Sequence, residues 1–194
     1  MSKISNRERI VAEGLRVVRL YGYTGASVRD ISRAAGVPLG SFTNHFSSKE
    51  AFGLEALERY HQSSKEAVER ILGDKSRSIR ERLDLYFDYI VNELLGPDLT
   101  GCLVGNLCAE VTNQSDVLRV RLADILEDMR VAFMAFLHEG VASGELRADL
   151  DVGKACGFIY SSIQGAILVS KALRSAEPIH DCRRHIVTDI LKLP

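Results

Sequence analysis

A 3.6-residue spacing of apolar side chains runs through the segments between the glycines and prolines, and it constrains the fold more than any other feature. In 77–95, Leu83, Phe87, Ile90 and Leu94 recur at the spacing that lines one face of a helix. No segment shows the sustained alternation of apolar and polar residues expected of a half-buried strand. The sequence therefore predicts an all-α protein of about nine helices.

Glycine, proline and capping residues divide the periodic sequence into separate helices. Gly22 and Gly36 each follow a periodic segment and are natural helix stops, and Pro97 closes another. Ser27 occupies an N-cap position with Asp30 three residues later, an arrangement typical of a helix start. The expected helices are 7–22, 28–35, 38–46, 48–72, 77–95, 101–112, 115–143, 151–174 and 178–192.

The composition excludes several classes of protein. The 194 residues are 46% hydrophobic and 26% charged, which is typical of a folded globular chain and not of a disordered one. No stretch approaches 18 uninterrupted apolar residues, and the start of the chain lacks the apolar centre of a signal peptide. The four cysteines form no C-x-x-C pair. We therefore expect reduced thiols in a cytoplasmic protein that does not enter a membrane.

Charge is distributed unevenly along the chain. Residues 1–50 contain eight Lys or Arg and four Asp or Glu, a formal charge of +4, whereas the remaining residues contain 17 and 22, a formal charge of −5. A basic head and an acidic body favour contact of the head alone with a polyanion. A chance imbalance explains the same numbers equally well, so charge alone leaves both interpretations open.

The second and third expected helices, joined by a turn around Gly36, have the layout of a helix-turn-helix motif. The third helix turns Phe42 and Phe46 inward and presents a polar face on its other side. This polar face predicts contact with the edges of bases in a DNA groove. A plain helical corner with a solvated polar face remains the alternative.

The same segment resembles the DNA-binding head of the tetracycline-repressor (TetR) family. The resemblance is carried without a gap by Ile10, Gly14, Leu15, Gly22, Tyr23, Ser27, Val28, Asp30, Ile31, Ala34, Ala35, Gly36, Val37, Gly40, Ser41, Phe42, Asn44, His45, Phe46, Ser48, Lys49 and Glu50. It implies a homodimeric transcriptional regulator, usually a repressor, with a DNA-binding domain at 1–48 and an effector-binding and dimerisation domain at 49–194. The implied partners are a double-stranded operator and a small-molecule effector, and no cofactor is implied.

Nine residues of the head are candidates for contact with DNA. Asn44 can pair with adenine, Gly40 lets the backbone approach the sugar-phosphate surface, and helix N-termini near Ser27 and Lys49 favour phosphate. The full set is Ser27, Arg29, Leu39, Gly40, Ser41, Thr43, Asn44, His45 and Lys49.

Two of these positions depart from the family pattern. Thr43 stands where the family usually has a tyrosine, and Leu39 stands where a basic residue is frequent. We therefore expect DNA affinity to depend more on Ser27, Ser41, His45 and Lys49.

The body carries a narrower resemblance, to a TetR subgroup that responds to reactive or unsaturated small molecules such as maleimide-like electrophiles and acrylate. It rests on 101–107 with Glu110 and on 165–168 with Lys171. Cys102 lies at the start of an expected helix, where the dipole and free N–H groups favour a nucleophilic thiolate. A small buried hydrophobic side chain is the alternative role for this cysteine.

The candidate effector-binding residues combine this thiol with amides and aromatic rings. Buried amides need hydrogen-bond partners, and a ligand or a neighbouring helix can supply them. The aromatic rings can line an apolar pocket between helices or can simply pack in the core. The set is Cys102, Asn106, Tyr60, Tyr86, Phe133, Phe158 and Gln164.

Two C-terminal helices are candidates for a dimer interface. Small residues recur every fourth position at Gly157, Ser161 and Gly165, which allows another helix to approach closely. Ile179, Ile186 and Ile190 give the last helix an apolar stripe that matches this row. Together they predict a four-helix bundle across a two-fold axis, and a packing seam within one chain is the alternative.

Other functions have weaker support in the sequence. His180, Cys182 and His185 fall on different faces of a helix, so we expect no metal site there. A Walker loop, a dinucleotide-binding glycine motif and a G-x-S-x-G motif are all missing from the sequence, so we do not expect an enzyme. A thiol-dependent enzyme that uses Cys102 and a helical protein-interaction module remain the alternatives to a regulator.

Overall fold

The computed structural model describes residues 5–193, and within them the all-α expectation is confirmed. This described part contains nine α-helices, two π-helical turns and no strand. The helices are α1 Asn6–Tyr21, α2 Val28–Ala34, α3 Leu39–His45, α4 Lys49–Leu72, α5 Ile79–Tyr89, α6 Leu103–Val111, α7 Asp116–Ser143, α8 Val152–Leu173 and α9 Glu177–His185.

Two helices expected to continue regularly change their winding instead. Ile90–Leu94 follows α5 as a π-helical turn, and Ile186–Ile190 follows α9 in the same form. In each turn a backbone N–H bonds to the carbonyl five residues earlier, as Leu191 does to Ile186 at 2.9 Å.

Local side-chain caps explain where several helices begin. The Ser27 hydroxyl accepts a hydrogen bond from the Asp30 N–H, and the Asp30 carboxylate accepts one from the Ser27 N–H, so the predicted cap is a complete capping box. The Asp151 carboxylate similarly accepts from the Lys154 N–H at 3.1 Å at the start of α8. At Gly22 the backbone enters the left-handed region with φ of +78°, which ends α1.

The chain divides into two compact units that are not simple halves of the sequence. The head unit contains the residues up to Ser63 together with Leu103–Ile125, and the body unit contains Ser64–Cys102 with the residues from Leu126 onward. The head unit thus includes α6 and the first part of α7 as well as α1–α3. Contacts between residues remote in sequence, such as the hydrogen bond from the Thr24 N–H to Glu110, join α6 to this unit.

An aromatic cluster forms the core of the head unit. The rings of Phe42, Phe46 and Phe52 lie with their centroids 5.3 to 5.7 Å apart. Gly14 gives Phe52 the space to pack, since a Cβ on Gly14 would lie 2.5 Å from the Phe52 ring. A helix of seven residues such as α3 is not stable alone. Burial of these rings against α1 and α4 supplies the free energy that holds α3 in place.

The core of the body unit contains aromatic rings and one buried ion pair. The Phe133 ring packs between two others, with its centroid 5.8 Å from that of Tyr86 and 5.7 Å from that of Phe136. The Arg82 guanidinium is buried beside Glu139, to which it donates at 3.0 Å. It also donates to the Leu72 carbonyl at 2.7 Å, so a buried charge is neutralised and hydrogen-bonded.

The helix α8 is long and apolar enough, by length and composition, to pass as a membrane span. A core helix of a soluble protein can have the same length and composition. Only 33% of the most apolar 18-residue stretch of α8 is buried within the described chain. Much of its apolar surface is therefore left uncovered by the protomer itself.

Candidate DNA-binding surface and effector region

The α2–turn–α3 segment presents an exposed edge built from α3. Among its residues, Phe42 is buried in the aromatic cluster of the head unit. The turn between the helices passes through Gly36 with φ of +61°, and Arg9 donates to the Gly36 carbonyl at 3.3 Å. We call the outward residues of this helix the recognition edge, which consists of Leu39, Gly40, Ser41, Thr43, Asn44 and His45.

The predicted DNA-contacting residues of α3 lie together on the recognition edge. All are exposed except Ser41, which is half-buried and accepts a hydrogen bond from the Asn6 amide at 3.3 Å. The Thr43 hydroxyl donates to the Gly40 carbonyl at 3.1 Å, so it is held against its own helix. A Cβ on Gly40 would meet no described atom within 4 Å, so the surface is open there.

The other three predicted DNA-contacting residues differ in their surroundings. Ser27 is exposed, and its hydroxyl donates to the Asp30 carboxylate at 2.5 Å. That bond is the main reason that the pKa of Asp30 lies below its usual value. Arg29 is exposed on α2.

Lys49 is more enclosed than a surface phosphate contact would require. It is half-buried, and its ammonium lies 4.5 Å from the centroid of the Tyr23 ring. Burial lowers the pKa of Lys49, and the nearby charge of Glu110 opposes that shift. Lys49 therefore already has partners inside the head unit.

Glu110 of α6 is a residue whose place in the head unit the sequence did not predict. Its carboxylate accepts a hydrogen bond from the Thr24 N–H at 2.9 Å, across 86 residues of sequence. Gly22 makes this approach possible, because a Cβ there would lie 2.9 Å from a Glu110 oxygen. The sequence signal was limited to the narrower resemblance, which includes Glu110 but does not indicate its contacts.

The effector candidates divide between the two units. Within the body unit, Cys102 is 4% exposed, and Tyr86 and Phe133 are buried. Burial is the main reason that the pKa of Tyr86 is raised, and an electrostatic interaction with Cys102 adds to it. The Tyr86 and Phe133 ring centroids lie 5.8 Å apart. Cys102, Tyr86 and Phe133 are thus brought together in one region.

Tyr60 and Asn106 belong to the head unit. The buried Tyr60 hydroxyl accepts a hydrogen bond from the Leu103 N–H at 3.4 Å, at the first residue of α6. Tyr60 therefore anchors the N-terminus of α6 to α4. Asn106 is half-buried on α6 itself.

Phe158 lies on the surface of the protomer. Its side chain is 59% exposed on α8, and its role in an effector pocket stays a prediction. It lies among other exposed apolar residues of that helix, Leu168, Val169 and Leu173. Gln164 is half-buried, and it falls seven residues after Gly157 and so on the same helix face.

The two predicted interface helices contribute differently to the surface. On α8, a Cβ on Gly157 or Gly165 would meet no described atom within 4 Å, and Ser161 is exposed. On α9, Ile179 is 0% exposed, and Ile186 in the following turn is also buried. These two isoleucines pack in the protomer's own core, while Ile190 is half-buried, and the part of this helix in a dimer interface stays a prediction.

The residues considered for metal binding lie in separate surroundings. His180 is exposed, and burial raises the pKa of Cys182 to about 11. The His185 ring lies 2.7 Å from the Asp189 carboxylate. Within residues 5–193, no group of three or more histidine, cysteine or acidic residues is placed to hold a metal ion.

Two protein-family models match separate parts of the chain. Residues 10–56 match the model of the bacterial regulatory proteins of the tetR family. Residues 76–186 match the model of the tetracyclin repressor-like C-terminal domain. The chain belongs to the TetR family. Its α2 and α3 therefore form the helix-turn-helix of a TetR-family regulator, and the recognition edge lies on this motif.

Two TetR-family repressors are similar to this protein over nearly its whole length. The HTH-type transcriptional repressor DhaR of Mycobacterium sp. strain GP1 is 38% identical over 179 residues, which cover 92% of this chain and 89% of DhaR. The repressor NemR of Escherichia coli is 29% identical over 195 residues, which cover 93% of this chain and 91% of NemR. This chain is thus similar to proteins described as transcriptional repressors.

Solved structures share the fold. A regulatory protein TetR from Rhodobacter sphaeroides is 30% identical and has a TM-score of 0.88, with 93% of this chain and 96% of that chain covered. A cysteine mutant of the TetR-family regulator CifR, complexed with 26-bp double-strand operator DNA, has a TM-score of 0.84 at 22% identity, with 100% of both chains covered. The CifR likeness concerns the fold alone.

Proposed function

We propose that this protein is a cytoplasmic, homodimeric repressor that binds a palindromic operator and is released from it by a small-molecule effector. The observation that carries the proposal is the recognition edge, a polar and exposed face on a short helix whose other face is anchored by Phe42. An edge of this kind fits the major groove and can bond to base edges there. DhaR and NemR are described as repressors, which supports repression and not activation as the function of this protein.

The uncovered face of α8 supports the homodimer. Gly157, Ser161 and Gly165 form a strip with little side-chain bulk, and Leu168 beside it is 64% exposed. Pairing this face with its own copy across a two-fold axis buries apolar surface that the protomer leaves in water. A symmetric dimer would then place two recognition helices about 34 Å apart, one turn of DNA, on a palindromic site.

A DNA-binding assay with the promoter region of the protein's own gene tests the proposal. We expect fluorescence anisotropy to show specific binding that weakens steeply as salt rises, because phosphate contacts release counterions. Asn44→Ala should weaken binding about tenfold through loss of a base contact. Asn113→Ala is the matched control, since Asn113 is exposed outside the helix-turn-helix. Equal affinity of the two variants, or binding insensitive to salt, would contradict the proposal.

We propose that the effector is an electrophile that reacts with Cys102. The support is the resemblance of 101–107 to the electrophile-responsive subgroup and the position of the thiol beside Tyr86, directly before α6. Alkylation would add bulk at a buried site and so favour a different conformer of the protein.

N-ethylmaleimide is a suitable probe for this trigger. The thiolate adds to the alkene carbon of the maleimide, and the neighbouring carbon takes up a proton from solvent, so no oxidant is required. We expect wild-type protein to release promoter DNA after treatment and Cys102→Ser to retain it. Cys156→Ser is the control, because Cys156 is another buried thiol, which donates to the Arg130 carbonyl. Release from Cys102→Ser equal to that from wild type would refute this trigger.

A further inference from the structure

The helix α6 is attached to the rest of the head unit at both ends. At its first residue, the Leu103 N–H donates to the Tyr60 hydroxyl of α4. In its last turn, the Glu110 carboxylate accepts from the Thr24 N–H at 2.9 Å. Thr24 lies three residues before Ser27, the N-cap of α2, so this second attachment meets the chain just before the helix-turn-helix.

The placement of Glu110 is unfavourable within its own helix. The C-terminal end of a helix carries partial negative charge, so a carboxylate in the last turn is disfavoured there. The compensation comes from outside α6, from the Thr24 N–H and from the Lys49 ammonium, whose pKa is affected by the Glu110 charge. Local conflicts of this kind concentrate at functional positions.

The surroundings of the contact are shaped to receive the carboxylate. Gly22 is the residue whose Cβ would collide with a Glu110 oxygen. Tyr23 holds Lys49 beneath its ring, and its own ring packs on Gly53 of α4, where a Cβ would lie 2.7 Å from it. The α1–α2 loop is therefore held between α4 and the end of α6.

Other contacts join the neighbouring elements but not this loop. The Ser115 hydroxyl donates to Glu50 at 2.7 Å, and Arg121 forms a two-pronged pair with Glu58, one hydrogen bond of which is 2.8 Å long. Both contacts join the start of α7 to α4, so α4 is held against α7 independently of Glu110. Glu110 bonds instead to the segment that leads into α2 and α3.

We infer that Glu110 is a positioning residue for DNA binding, whose carboxylate fixes the α1–α2 loop on α6 and so holds the start of the helix-turn-helix in place. The inference rests on the proposed DNA-binding function and names a contact on which that function depends. It assigns Glu110 no contact with DNA, because its partners are Thr24 and Lys49 inside the head unit.

Three variants of the full-length protein test the inference in the promoter-binding assay. Glu110→Ala removes the acceptor and should weaken DNA binding about tenfold, within the range typical of coupling between sites. Glu110→Gln keeps an oxygen acceptor and should recover most of the affinity. Asp116→Ala, an acid in the same unit with an 89% exposed side chain, should leave the affinity unchanged.

Hydrogen exchange distinguishes positioning from general destabilisation. In Glu110→Ala the Thr24 amide should exchange faster, while peptides from α5 and α8 and the thermal midpoint stay as in wild type. DNA affinity of Glu110→Ala within twofold of wild type would overturn the inference. Loss of protection throughout the chain would also overturn it, since the effect would then be on folding.

Failure of the inference and failure of the proposed function give different results. If wild-type protein does not bind promoter DNA, the DNA-binding proposal fails, whatever the exchange data show. If wild-type protein binds promoter DNA and both Glu110 variants bind it as tightly as wild type, the DNA-binding proposal stands and the positioning role of Glu110 is refuted.

Discussion

Gly14 and Gly40 lie in helices of the same head unit for opposite reasons. A Cβ on Gly14 would lie 2.5 Å from the Phe52 ring and 2.8 Å from Ile31. A Cβ on Gly40 would meet no atom of the described chain within 4 Å. The first glycine permits close packing, and the second leaves open a surface that we propose faces DNA.

Alanine substitution should therefore separate folding from DNA binding at these two positions. Gly14→Ala should lower the free energy of unfolding by about 1–3 kcal/mol, because it overpacks the head core. Gly40→Ala should raise it by about 0.5 kcal/mol through better helix propensity, yet weaken promoter binding. Urea denaturation and anisotropy measure the two effects, and unchanged DNA affinity of Gly40→Ala would contradict close approach at this site.

The buried Arg82 makes a second prediction at the scale of single residues. Glu139→Ala leaves the 2% exposed guanidinium without its carboxylate. We expect a loss of about 2 kcal/mol, less than for a fully buried pair because Glu139 is 34% exposed. Asp149→Ala breaks the surface pair with Arg147 and should change stability by less than about 0.5 kcal/mol. Chemical denaturation measures both variants, and an equal loss of unfolding free energy in Glu139→Ala and Asp149→Ala would refute this ranking.

At the scale of one element, the start of α5 depends on an ionised side chain. The Glu81 carboxylate accepts from the Ser78 N–H at 2.8 Å and from the Ser78 hydroxyl at 2.9 Å. These two hydrogen bonds, the backbone one first, hold the pKa of Glu81 below its usual value of 4.5. A lowered pKa means that the charged form stabilises the fold above the unfolded pKa, and that this stability is lost as the pH falls through the folded pKa.

Glu81→Gln should expose this pH dependence. The variant should unfold at lower urea concentration than wild type near about pH 7, and the difference should shrink as the pH falls through the lowered pKa of Glu81, where the wild-type carboxylate becomes protonated. Glu177→Gln, which changes an exposed acid in the first turn of α9, is the control and should show a smaller change with pH. A difference that is constant or grows toward acid pH would show that the carboxylate charge has no part in the cap.

At the scale of the whole molecule, the uncovered face of α8 determines how protomers assemble in our proposal. Leu168→Arg places a charge on this face and should convert the dimer to a folded monomer, because Leu168 is already 64% exposed in the protomer. Val120→Arg, at a 49% exposed apolar position on α7, should leave the dimer intact. Light scattering after size exclusion measures both, and a dimeric Leu168→Arg would place the interface elsewhere.

Loss of the dimer should also weaken operator binding, because two linked recognition helices bind a palindrome more tightly than one. The monomeric Leu168→Arg should therefore lose affinity for promoter DNA although its recognition edge is unchanged.

The helices were predictable from local sequence, and the DNA-binding head from its resemblance to the TetR family. Apolar periodicity and local caps such as Ser27 with Asp30 involve residues within a few positions of each other, so they are visible without the fold. The nine expected helices, the α2–turn–α3 segment and the burial of Phe42 beneath its polar edge were all predicted on this basis, and the structure confirms them.

The packing of the helices determines which of their faces are buried and which remote residues meet. Periodicity shows that Ile179 and Ile186 share a face with other apolar residues, but not whether that face meets its own chain or a partner. It equally left Phe158 open between a pocket and the core, whereas in the structure its side chain is 59% exposed. The bond from Thr24 to Glu110 spans 86 residues, and no local pattern predicts it, because it depends on the path that brings α6 back to the head.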